Sequence, residues 1–81
     1  MLTEYIQAAL RRAKYEILPE DRTYYGEIPG FQGVWANKDT LEACREELRE
    51  VLEDWLLLKL RSDHTLPIVD GISLVVERIV D

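Results

Sequence analysis

The chain has 81 residues, enough for one domain but not for a thick core, since a domain this small hides only about 60% of its unfolded surface. With 47% hydrophobic and 32% charged residues it has the balance of a folded protein, not of a disordered tail. A net charge of −6 argues against free nucleic acid or an anionic membrane surface as the main partner, and leaves a basic partner or plain solubility.

In chain order, Leu2, Tyr5, Ile6, Ala9, Leu10 and Ala13 recur at helical spacing and predict a first helix over residues 2–13. From Lys14 the period shortens to two. Residues 14–18 read as a strand with Tyr15 and Ile17 on one face. Pro19, Glu20, Asp21 and Arg22 carry turn chemistry, and residues 24–28 complete a hairpin. In that second strand Tyr24, Gly26 and Ile28 share one face, with Tyr25 and Glu27 on the other. A third strand, 34–37, sets Val34 and Ala36 against Trp35 and Asn37.

The strongest signal is a long amphipathic helix over residues 40–60, with Leu41, Cys44, Leu48, Val51, Leu52, Trp55 and Leu58 in register. Asp39 is the expected N-cap, completed by Glu42 in a capping-box-like pattern. Beyond a loop containing Asp63 and His64, residues 72–76 read as a fourth strand on β-branched content. The expected fold is therefore α+β in the order α-β-β-β-α-β: one domain over residues 1–81, with a three- to four-stranded antiparallel sheet packed against the long helix.

The residue types exclude much chemistry. One His and one Cys twenty positions apart make no metal signature. The glycines of Ile28-Pro29-Gly30-Phe31-Gln32-Gly33 follow no phosphate-loop pattern and lead into a strand. Cys44, on the apolar stripe, reads as an inert thiol, and no carboxylate pair looks desolvated. No catalytic residue and no cofactor are expected. A lone cysteine suits a reducing compartment, the N-terminus lacks the pattern of a secretory leader, and no apolar run approaches the ~18 residues of a membrane span. The expected location is the cytoplasm.

What remains is surface. Residues 39–61 carry seven acids against four bases, and Glu46, Glu50 and Glu53 form part of an acidic helix face that either docks a basic partner or is merely solvated. Tyr25 and Trp35 share the outer side of the sheet and could anchor that partner. Trp55, Leu56, Leu57 and Leu58 are apolar on every side of the helix, so either the C-terminal segment or another chain must cover them. Trp35, Trp55, Leu56 and Leu57 are accordingly the expected contacts of a homo-oligomer, a dimer or tetramer.

The stretch YEILPEDRTYYGEIPGFQGVWANKDTLEACREELREVLEDWL, residues 15–56, resembles the HicB-type antitoxin family. The matching positions are Tyr24, Tyr25, Gly26, Glu27, Ile28, Pro29, Gly30 and Gly33, then Asp39, Thr40, Leu41, Glu42 and Ala43. The resemblance implies a partial ribonuclease H-like core without catalytic residues. It also implies a partner: a HicA-like toxin, a small basic ribonuclease that the antitoxin blocks by contact. Many such antitoxins carry a DNA-binding module after this core. The 81 residues leave no length for one, so no direct nucleic-acid binding is expected, and the first helix precedes the usual start of the pattern. The expected function is a HicB-like antitoxin or related binding module. The alternative is a self-associating structural domain with no toxin partner.

Overall fold

The computed structural model describes residues 2–62 and 66–72. Its elements are α1 (Leu2–Arg11), β1 (Lys14–Ile17), β2 (Tyr24–Glu27), β3 (Trp35–Lys38) and α2 (Leu41–Arg61). The strands form an antiparallel sheet in the order β1-β2-β3, which gives the expected α+β architecture with three strands. Of the fourth strand, Ile72 is described and forms an isolated bridge with Val69; residues 73–76 lie outside the described residues, as do Asp63 and His64. Among the described residues no helix is long and apolar enough to cross a membrane.

Helix α1 stops two residues short of its apolar pattern. The Arg12 amide donates to the Ala9 carbonyl at 3.0 Å and the Ala13 amide to Leu10 at 3.1 Å, so the last turn tightens before Lys14 enters β1. The β1–β2 turn is held by backbone bonds between Leu18 and both Thr23 and Arg22. Asp21 braces it from the side, accepting from the Thr23 amide at 3.1 Å and from its hydroxyl at 2.7 Å. Arg22 adopts φ 58°, a left-handed conformation that glycine or asparagine takes more cheaply.

Alternation decides the two faces of the sheet. Gly26 and Ala36 are directly paired and buried, and Val34 and Ile28 are 1% and 2% exposed. Against this inner face α2 lays Cys44, Leu48, Leu52 and Leu56, all buried. Gly26 is set by space: a Cβ there would lie 2.7 Å from the Tyr15 ring and 3.2 Å from the Cys44 sulfur. The missing side chain lets an aromatic ring from β1 and the helix both close on the middle strand.

The helix starts one residue later than its acidic signals suggest. Thr40, not Asp39, is the N-cap: its backbone is extended and its hydroxyl accepts from the Ala43 amide at 3.1 Å. Thr40 and Asp39 are both good capping residues, but only the one immediately preceding the first helical turn can reach the third amide.

At 21 residues α2 is about 31 Å long, whereas the four-residue strands reach about 13 Å. The overhanging half of the helix therefore needs other cover. The loop after β2 supplies it, because Gly30 and Gly33 at φ 88° and 91° fold the chain so that Phe31 points inward. Phe31 meets Tyr5 of α1 edge-on and the Trp55 ring at 5.2 Å. Leu66 and Val69 belong to the same core, and the Tyr5 hydroxyl donates to the Pro67 carbonyl.

Candidate protein-binding face

The sheet's outer face carries no helix among the described residues. On it Tyr25 of β2 and Trp35 of β3 stand on diagonally related positions, since Trp35 pairs with Glu27 and Tyr25 with Asn37. Their rings stack, with centroids 6.1 Å apart and planes inclined by 24°. Trp35 is 54% exposed, a large apolar area to leave in water on so small a sheet. The pair borders a groove of about 420 Å³ whose far wall is the Pro29–Gly33 turn.

Charge beside the pair comes from the strands. Glu16 pairs with Tyr25 across β1, and Glu27 follows it on the same face. The Tyr25 hydroxyl is pushed above its ordinary pKa, first by partial burial and then by the Glu27 and Glu16 carboxylates. The result is an aromatic platform with two carboxylates at its edge, Glu27 lying opposite Lys14 in the register. Strand alternation alone could have found Glu16 and Glu27, but in the sequence the dense acidic run on the helix outweighs them.

The structure separates the residues expected to act together. Tyr25 and Trp35 are on the outer face, whereas α2 packs on the inner one through Cys44, Leu48 and Leu52. Glu46 and Glu50 are exposed on the solvent side of α2, and Glu53 forms an i,i+4 pair with Arg49 at 3.6 Å. The sheet stands between the two groups, so they form two surfaces.

The apolar stretch at the end of α2 is also divided. Leu56 is only 2% exposed and belongs to the chain's own core, so it offers no surface to a second copy. Trp55 is half-buried by its own fold: its indole N–H donates to the Gln32 carbonyl at 3.1 Å, and the Lys59 ammonium sits 5.4 Å over its ring. The sequence pattern places both at an interface; Leu56 lies in the chain's own core, and Trp55 packs on Phe31 while staying partly exposed. Leu57 and Leu58 stay outside, 60% and 64% exposed.

Cys44 is fully buried, and burial raises its thiol pKa. Among the described residues no three His, Cys, Asp or Glu side chains gather as metal ligands would.

The model of the UPF0150-like family matches residues 4–67, from the first turn of α1 through α2 to Pro67. The chain belongs to the UPF0150-like family. Residues 4–11 of α1 fall inside the match, so most of the helix ahead of the first strand is part of this family's pattern. A similar solved structure is that of TTHA0281 from Thermus thermophilus, 40% identical with a TM-score of 0.86 over 95% of each chain. No curated protein matches the sequence.

Proposed function

We propose that this UPF0150-like chain is a HicB-like antitoxin, or a close relative of one, that blocks a small basic ribonuclease in the cytoplasm by protein–protein contact and performs no catalysis itself. The observation that carries this reading is the exposed Tyr25–Trp35 stack edged by Glu16 and Glu27. Aromatic anchors of this kind supply most of the binding energy at protein interfaces, and flanking carboxylates speed the approach of a cationic partner. The resemblance of residues 15–56 to the HicB pattern supports the nature of the partner, a basic HicA-like toxin.

The test is a search beside this gene for a short basic protein and coexpression of the two. The two should copurify, and growth arrest by the basic protein should be relieved. A Tyr25→Ser/Trp35→Ser variant should lose both effects while its thermal midpoint stays near that of the parent. Copurification that survives this variant would move the contact elsewhere, and absence of any rescue by the parent chain would end the antitoxin reading.

Leu57 and Leu58 favour a second reading, self-association. A C2 dimer would bury the same patch against its own copy, and it is compatible with toxin binding on the other side of the sheet.

A further inference from the structure

Positive charge gathers around a cavity where the acidic surface would least suggest it. Between α1, β1 and the first half of α2 opens a cleft of about 750 Å³. Leu41, Arg45 and Arg49, four residues apart, form one stripe along the α2 wall, and Arg11 stands on the α1 wall. Three arginines thus line the cleft with a single lining carboxylate, Glu46, in a protein of net charge −6. Beneath them the floor is apolar, made by Leu10, Leu41 and the half-buried ring of Tyr15. Burial pushes the Tyr15 hydroxyl above its ordinary pKa, and the nearby Arg45 charge works against that rise.

The arginines are only loosely committed. Arg11 lies 3.7 Å from Asp70 and Arg49 3.6 Å from Glu53, both in exposed pairs of the sort worth about 0–1 kcal/mol. Guanidinium forks grip carboxylate, sulfonate or phosphate oxygens in pairs. The volume falls within the roughly 300–1,000 Å³ of small-molecule sites, which combine an apolar lining with a few placed polar groups.

We infer that this cleft binds a small organic anion, its acidic head held between Arg11, Arg45 and Arg49 and its apolar body lying on Leu10, Leu41 and Tyr15. The site is separate from the aromatic face and does not depend on the antitoxin reading.

The experiment uses the whole chain and 8-anilinonaphthalene-1-sulfonate, an anion with an apolar body whose fluorescence reports its own burial. Saturable one-to-one binding is expected, weakening as salt rises. An Arg11→Gln/Arg45→Gln/Arg49→Gln variant should bind at least tenfold more weakly. All three side chains are exposed, so far-UV circular dichroism should be unchanged. Trp35→Ser and Leu57→Ser should bind as the parent does. Equal binding by the arginine variant, or loss of binding in Trp35→Ser or Leu57→Ser, would overturn the proposal by placing the probe on other apolar surface. Inorganic phosphate binding as tightly as the sulfonate would overturn it too, because the floor would then contribute nothing. So would hexaglutamate displacing the probe at lower concentration than naphthalene sulfonate does, since the groove would then suit an acidic polypeptide.

Discussion

Gly26 is the residue on which the three layers of the fold converge. An added methyl would meet the Tyr15 ring at 2.7 and 2.8 Å, with Cys44 close behind at 3.2 Å. The Tyr15 ring is itself packed against the core, so it cannot retreat without losing that contact. Gly26→Ala should therefore destabilise the protein by about 1–3 kcal/mol, the usual range for overpacking, measurable as a lower urea midpoint with an unchanged slope. Asp21 makes a prediction about acid. Bonds from the Thr23 hydroxyl, then from the Thr23 amide, hold its carboxyl below the ordinary aspartate pKa. A carboxyl with a lowered folded pKa stabilises above the unfolded value of 3.8 and loses that contribution as pH falls through the folded one. A carbon-13 titration of Asp21 should accordingly show a midpoint below 3.8, and Thr23→Val should raise it. Both residues stand where strand-and-turn reasoning places them. Yet nothing in the sequence reveals that Gly26 must be empty, because the atoms that would fill it come from positions 15 and 44.

Among the elements, α2 is the most legible in the sequence and also the most misleading. Its apolar stripe marks Cys44, Leu48 and Leu52 correctly as core, and alternation in β3 correctly turns Val34 and Ala36 inward and Trp35 outward. Its start shifts by one residue because Asp39 and Thr40 are chemically equivalent caps, and only geometry chooses between them. Thr40→Ala should cost about 0.5–2 kcal/mol, whereas Asp39→Ala should leave the thermal midpoint nearly unchanged. The fate of residues 55–58 is hidden for a different reason. Trp55 is met by Phe31 and Gln32, more than twenty positions away, through a turn whose inward fold depends on two glycines at positive φ. The acidic run misleads in a similar way. Helical periodicity shows which residues share a face of the helix but not which side of the sheet that helix covers. Glu46, Glu50 and Glu53 therefore look like neighbours of Tyr25 and Trp35, from which the sheet separates them.

At the scale of the whole molecule the issue is cover. A three-stranded sheet has one face to bury, and α2 with the 28–34 turn buries it. Among the described residues Ile17, Trp35, Leu57, Leu58 and Ile68 remain, each more than half exposed. A small domain with this much apolar surface gains stability by pairing. Sedimentation equilibrium at micromolar concentration should give twice the 9.5 kDa mass of the chain. Leu57→Ser/Leu58→Ser should return the protein to a monomer with little change in its own secondary structure, and a parent chain that sediments only as a monomer would remove self-association from the account.

The bond from Tyr5 to Pro67 spans 62 positions, and that from Arg12 to Asp70 spans 58. Helix α1 is made first on the ribosome, yet every partner that holds it, Phe31, α2, Pro67 and Asp70, is made later. At about 5–20 residues per second, its buried face of Tyr5, Ala8 and Ala9 waits uncovered for several seconds while the hairpin and α2 emerge. A chain halted before residue 66 would hold its first helix through Phe31 and α2 alone, without the Tyr5–Pro67 bond or the Arg12–Asp70 pair.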